Sequence, residues 1–457
     1  MKRNGAASAA TENPITEGVI WKQLLLFFFP ILFGTFFQQL YNTADAIVVG
    51  RFVGKEGLAA VGGSTSTVIN LIVNFFVGLS SGSTVIISQY YGARREKRVQ
   101  QAVHTSIAFS ILFGLVLTVV GIIFAPAALR AMDTPEDILP DSVLYFRIYC
   151  AGLIANLIYN MGAGILRAVG DSKRPLYFLI ASCFTNIVLD VLLVAGFSMG
   201  VAGAALATIA SQIVSAILVL AVLTRTKDMY RLSFKAIRIN SPILLRILQI
   251  GFPAGLQSVM YSASNIIIQI SVNSLGTDVI AAWTAYGKID SIYWMIVNAF
   301  GISATTFVGQ NYGAGKNDRV RKGTRICLAM SAVTTLFLSA VLYVFGNYIY
   351  LLFTTDAAVI AKGMEILRFL VPTFITYVCI EILSGALRGV GDCWIPMIMT
   401  ALGVCLLRIV WIFIAVPIYP DIKTICFSYP LTWTITSILF IIYFKWFSKV
   451  RKLPKQS

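Results

Sequence analysis

Hydrophobic residues in this chain come in long unbroken runs. They do not alternate, and they do not form single helical stripes. Apolar stretches of about 18 or more residues recur from near Leu24 to Phe447, each long enough to cross a bilayer core as a helix. In lipid every backbone N–H and C=O must be satisfied within its own segment, so runs of this kind predict helices. Twelve spans are expected, at roughly 23–50, 58–91, 100–125, 142–166, 176–196, 201–224, 244–275, 279–311, 326–354, 362–387, 396–416 and 425–447. Several exceed the ~20 residues a perpendicular crossing needs, and tilt or extension into the interface absorbs the excess. The longest polar segments are the N-terminus up to Ile20 and the stretch Arg225–Ser241. Lys2 and Arg3 are followed by small and polar residues, not by an apolar core with a cleavage site, so the first span is expected to stay in the mature protein.

Composition agrees with the pattern. The 457 residues are 58% hydrophobic and only 12% charged, and mean hydropathy is +0.81, whereas soluble domains carry about 25% charged residues. The net charge of +16 could point to nucleic acid, but placing the charges along the chain removes that reading. With the N-terminus inside, the inner segments hold 27 of the 36 basic residues and the outer loops five: Arg51, Lys55, Arg130, Lys362 and Lys423. The positive-inside rule supports this assignment, and the basic charge serves topology and anionic lipid headgroups. A multi-pass cell-membrane protein with both termini cytoplasmic is expected, with the lipid bilayer as a partner and no nucleic acid. The seven cysteines are scattered without a CxxC pair, and His104 is the single histidine, so neither a disulfide framework nor a metal site is expected. His104 reads as a helix-end polar residue.

The chain repeats itself. Gln89-Tyr-Tyr-Gly-Ala93 matches Gln310-Asn-Tyr-Gly-Ala314, and Gly164-Ile-Leu-Arg-Ala-Val-Gly-Asp171 matches Gly385-Ala-Leu-Arg-Gly-Val-Gly-Asp392, both at an offset of 221 residues. Phe29-Pro30 and Phe252-Pro253 match at 223. The fold expected is an all-α polytopic membrane protein, twelve transmembrane helices as two parallel six-helix repeats around a central cavity. Two even-numbered copies are related by an axis along the membrane normal and suit alternating access by rocking. The chain divides into a cytoplasmic N-terminus 1–22, halves 23–224 and 244–447, a basic linker 225–243 and a tail 448–457.

Charges inside apolar spans mark candidate function, because a carboxylate at membrane depth is costly. Asp45 lies in span 1, on one helical face with Gln38 and Asn42. Asn186 and Asp190 are one turn apart in span 5, and Thr208 in span 6 sits at a similar depth. Counting 1.5 Å per residue from the outer helix ends puts Asp45 and Asp190 about 9 Å below the boundary. Two carboxylates at one depth can share a proton. Arg147 in span 4 is level with them and either pairs with one of them or snorkels to the interface. In the second half Lys288, Asp290, Glu381 and Arg408 are two acids and two bases, which favours a neutralising network over a titrating site. Gly78-x-x-x-Gly82, Gly251-x-x-x-Gly255 and Gly309-x-x-x-Gly313 read as close-packing contacts.

The first-span Tyr-Asn-Thr-Ala-Asp45, the paired Gln-x-Tyr-Gly-Ala and Leu-Arg-x-Val-Gly-Asp motifs and the two-half layout resemble the multidrug and toxic compound extrusion (MATE) family, nearest its DinF-like branch. The resemblance implies a cation site of H⁺ or Na⁺ at Asp45, Asn186, Asp190 and Thr208. Span 7 lacks the glutamate of the other main branch and offers Gln257, Tyr261 and Asn265 as cavity residues beside Gln38 and Asn42. Asp290 and Glu381 stay as secondary coupling candidates. The expected activity is ion-coupled export of amphipathic, cationic compounds, with no cofactor and an oligomeric state left open, a monomer being plausible. The alternative is a flippase of a lipid-linked saccharide, which would need a basic central cavity. Gly313-Ala-Gly-Lys316 lacks the spacing and the Ser/Thr of a phosphate loop, and a membrane enzyme or non-transporting scaffold is a weaker reading.

Overall fold

The structure is a computed structural model that describes residues 13–454. Lys2, Arg3 and Lys455 of the expected cytoplasmic termini lie outside the described residues. Among the described residues ten helices are long and apolar enough to cross a membrane, and the number is twelve with each of two bent pairs taken as one span. In order they are α1 (Ile20–Phe52), α2 (Lys55–Gly92), α3 (Glu96–Arg130), the bent α4 (Leu139–Ala151 and Leu153–Ala168), α5 (Lys173–Gly196) and α6 (Gly200–Arg225). The second half has α7 (Ser241–Asn273), α8 (Thr277–Gly313), α9 (Asn317–Leu351), the bent α10 (Ala357–Thr373 and Ile375–Gly389), α11 (Trp394–Ile418) and α12 (Ile422–Lys452). Each expected span falls on one of them.

The helix ends follow local chemistry. The Asn240 side chain accepts from the Ile243 amide ahead of Pro242 and so starts α7, while Asp356 and Asp421 cap α10 and α12 in the same way. Spans 4 and 10 read as single helices in the sequence, but they bend by 49° and 50° at equivalent places. In α4 the bend falls at Gly152, where a Cβ would collide with Ile209 of α6. In α10 the chain passes through a 3₁₀ turn at Val371–Thr373, and Pro372 within it supplies no amide hydrogen.

The basic loops gather at one end of the bundle, called here the basic end, and the two halves meet there. Gly78 and Gly82 of α2 lie against Gly255 and Gly251 of α7 so closely that a Cβ would enter the facing backbone. These are the close contacts that small residues permit between membrane helices. Nearer the basic end, Gly92 is packed on the Gln310 carbonyl and Gly313 on the Gln89 carbonyl. α1 joins the halves. Its Leu24–Ile31 stretch packs with Phe300 of α8 and Ile382 of α10, while Val48 and Val49 pack in the first half. The linker after α6 is pinned to the first half: His104 of α3 is buried and accepts from the Ser233 amide at 3.0 Å, and its other ring nitrogen meets the Gln100 carbonyl at 2.6 Å. That is a structural role.

Candidate functional site

Four polar side chains from three helices converge inside the first half. Asp190 and Asn186 of α5 are fully buried, and Asp45 of α1 and Thr208 of α6 are also buried. The carboxyl groups of Asp45 and Asp190 face one another. Tyr145 of the bent α4 faces Asp45 and reaches Thr208. Immediately after Asp190 the helix widens into a π-helical turn, Val191–Gly196, a local form often found at functional positions.

This cluster is polar, yet most of its polar atoms are unsatisfied by protein among the described residues. One oxygen of Asp45, both carboxyl oxygens of Asp190 and both polar atoms of the Asn186 amide are buried without a hydrogen-bond partner among the described residues. Leaving such groups unpaired is expensive. The donor set consists of hard oxygens with negative charge, which fits one bound cation: a proton shared by the carboxyls, or a sodium ion held by Asp45, Asp190, the Asn186 carbonyl and Thr208. Sequence reasoning missed Tyr145, since nothing in the spacing shows which face of α4 turns inward.

A second space lies between the halves. A cavity of about 660 Å³ extends from Gln269 and Trp283 towards Arg167 and Arg388 near the basic end. Gln257, Tyr261 and Asn265 of α7 line it, as do Asp290 and Glu381. Gln38 and Asn42 do not: Gln38 is half-buried and Asn42 is exposed, with its amide turned to Gln39 at 3.5 Å. Asp45, Asn186, Asp190 and Thr208 are also absent from its walls, so this polar cluster lies outside the large cavity. The walls are aromatic, including Trp294, Tyr429 and Trp433, and contain no methionine.

The structure decides one open question about charge and corrects one expectation. Arg147 pairs with neither aspartate: it is exposed, and its Nε donates to the Ile122 carbonyl at 3.1 Å. Arg147→Ala is therefore expected to leave drug efflux within about twofold of wild type, as befits an exposed side chain outside the site; side-by-side efflux rates check this. The expected neutralising network of Lys288, Asp290, Glu381 and Arg408 does not form either. Lys288 is exposed, and no ion pair within 4.0 Å links these residues among those described. Asp290 instead accepts from Trp294 Nε1 at 2.7 Å and from the Tyr286 hydroxyl at 3.3 Å, and Glu381 accepts from the Tyr377 hydroxyl at 3.3 Å.

The repeated motifs bind one another across the halves. Gln89 Nε2 donates to the Gly389 carbonyl at 2.8 Å, and Gln310 Nε2 donates to the Ala168 carbonyl at 2.7 Å. Each Gln-x-Tyr-Gly-Ala thus holds the Leu-Arg-x-Val-Gly-Asp of the opposite half. A one-turn helix, Pro14–Glu17, lies over this seam. Asn13 donates to Gln310 at 3.0 Å, and Glu17 lies 3.7 Å from both Arg94 and Lys316, one from each half.

The MatE family model matches residues 30–192 and 253–414, one match in each half. The chain is 29% identical over 390 residues to the probable multidrug resistance protein YoeA of Bacillus subtilis, covering 83% of this chain and 84% of that one. It is 21% identical over 373 residues to the multidrug export protein MepA of Staphylococcus aureus, covering 82% of each. The fold is similar to a solved structure described as the outward-facing conformation of a multidrug resistance MATE family transporter, with TM-score 0.89, 22% identity and coverage of 97% and 98% of the two chains.

Proposed function

This chain belongs to the MatE family, and from that premise we propose that it is a secondary active exporter of amphipathic, cationic compounds driven by H⁺ or Na⁺. Members of the family are transporters and not enzymes, and the twelve spans make this a multi-pass membrane protein. The names of its relatives favour drug export over lipid flipping. The basic end faces the cytoplasm of the cell, by the positive-inside rule. The seam closed by Gln89 and Gln310 then seals the cytoplasmic side, and the central cavity belongs to an outward-facing state.

The single observation that carries the coupling role is the buried, unpartnered trio Asp45, Asn186 and Asp190. A donor set of this kind agrees with the DinF-like branch. Since this pocket does not open into the large cavity, the substrate does not displace the ion by contact. Coupling runs instead through α1, which carries Asp45 in the first half and packs its Leu24–Ile31 stretch in the second, with Pro30 inside that stretch. A helix interrupted by proline can bend there, so rocking of the halves changes the geometry around Asp45.

The test uses purified protein in liposomes loaded with a fluorescent organic cation under an imposed pH or Na⁺ gradient. Dye movement should follow one of the two gradients and stop when an ionophore collapses it. Movement indifferent to both gradients would rule out ion coupling.

A further inference from the structure

The central cavity carries more positive charge than a chamber for simple cations needs. Three guanidinium groups line it, Arg167, Arg388 and Arg408, against two carboxyls, Asp290 and Glu381. Arg167 and Arg388 stand at equivalent places in the two repeated motifs, near the basic end. Arg408 differs from them in its surroundings. It is 2% exposed, lies over the Tyr429 ring at 4.1 Å and makes one side-chain hydrogen bond, to Thr432 Oγ1 at 3.2 Å. Its Nε is buried with no hydrogen-bond partner among the described residues. A guanidinium offers five donors in a planar fork suited to carboxylate and phosphate, so most of this fork is unused. A buried cation in that condition is costly until an anion reaches it. The π-helical turn Ala401–Leu406 lies two residues ahead of it in α11, as another such turn adjoins Asp190 in α5. Asp290 lines the same cavity and is held by Trp294 and Tyr286, with no ion pair to Arg408 within 4.0 Å among the described residues.

We propose that Arg408 is an anion subsite of the central cavity, and that the substrates this chamber takes are zwitterionic amphipaths. The anionic group of the substrate occupies the free donors of Arg408. Its cationic end lies against Asp290 and the Trp294 ring, where carboxylate and aromatic faces both attract it. This deepens the export reading and rests on it: the substrate stays amphipathic and carries a cation, but must carry an anion too.

The experiment compares two dyes that differ by one methyl group, rhodamine 110 with a free carboxylate and rhodamine 123, its methyl ester. Binding is read by fluorescence anisotropy to the full chain in lipid nanodiscs, with empty nanodiscs as blank. Wild type should bind the acid about tenfold or more tighter than the ester, the gain of a charge-assisted pair over a neutral ester. Arg408→Gln should bring the two dyes within about twofold of each other while ester binding persists, which also shows that the variant folds. If Arg408→Gln binds neither dye, Arg408→Lys decides, because it keeps a charge and loses the fork. A reduced preference for the acid supports the subsite, and an unchanged one overturns it. Equal or tighter binding of the ester by wild type overturns the subsite while leaving the amphipath exporter standing. Binding of neither dye by wild type overturns both.

Discussion

Asp190→Asn protein is expected to bind drug but no longer to accumulate it against a gradient. Asp190 contributes two buried oxygens that no protein group satisfies, and the Asp45 carboxyl faces it. An amide of the same shape cannot take up and release a proton, and it weakens a sodium site by a full charge. One charge moved across 100 mV is worth about 2.3 kcal/mol, which concentrates a substrate tens-fold. The steady-state ratio in energised vesicles should therefore fall from tens-fold to about unity. Asp45→Asn should behave the same way, and the double variant should be no worse than either, since the pair acts as one unit. Both proteins should fold, because replacing an unpaired buried acid by a neutral amide removes a desolvation cost. Melting temperatures at or above wild type would confirm that. Full ion-driven accumulation in the variants would move coupling into the second half, to Asp290 or Glu381.

The second large effect is expected at the other end of the molecule. Gln89→Ala with Gln310→Ala removes both hydrogen bonds that tie the repeated motifs across the seam. The acceptors, the carbonyls of Gly389 and Ala168, belong to buried residues and would be left unpaired in the closed seam. Each such loss costs about 1–3 kcal/mol, so the pair shifts the equilibrium by about 2–6 kcal/mol towards separation of the halves at the basic end. About 5.5 kcal/mol inverts a 99:1 population. Spin labels on the exposed Lys97 of α3 and Lys322 of α9 would read this as a distance distribution. The short-distance population should drop sharply in the double variant and by an intermediate amount in each single. An unchanged distribution would show that the glycine contacts and the Glu17 bridge hold the seam without these two hydrogen bonds.

Much of this protein was legible before any coordinate. The bilayer is a strict solvent: it sets the length of a span and forces its backbone to bond internally, so runs of apolar residues mark α1 to α12 directly. The duplicated Gln-x-Tyr-Gly-Ala and Leu-Arg-x-Val-Gly-Asp motifs disclose two halves. A fixed rise per residue puts Asp45, Asp190 and Thr208 at one depth, and the structure brings those side chains together.

What the sequence could not decide was rotation and partnership. A helix that is apolar on all sides carries no stripe to show which face turns inward. Arg147 and Tyr145 lie two residues apart on α4, and only packing sends one to the Ile122 carbonyl and buries the other beside Thr208 and Asp45. Balanced charges on α8, α10 and α11 look like a salt-bridge network, yet aromatic hydroxyls and an indole take the carboxyls, and a tyrosine ring takes the arginine. The repeated motifs could be seen, but not that each grips the other's copy, because that contact spans about 140 residues in one direction and 300 in the other. Length, topology and depth are local consequences of a chain in lipid. The faces that meet, the separation of the Asp45–Asp190 cluster from the cavity and the end at which the halves close depend on long-range packing, which tertiary structure alone specifies.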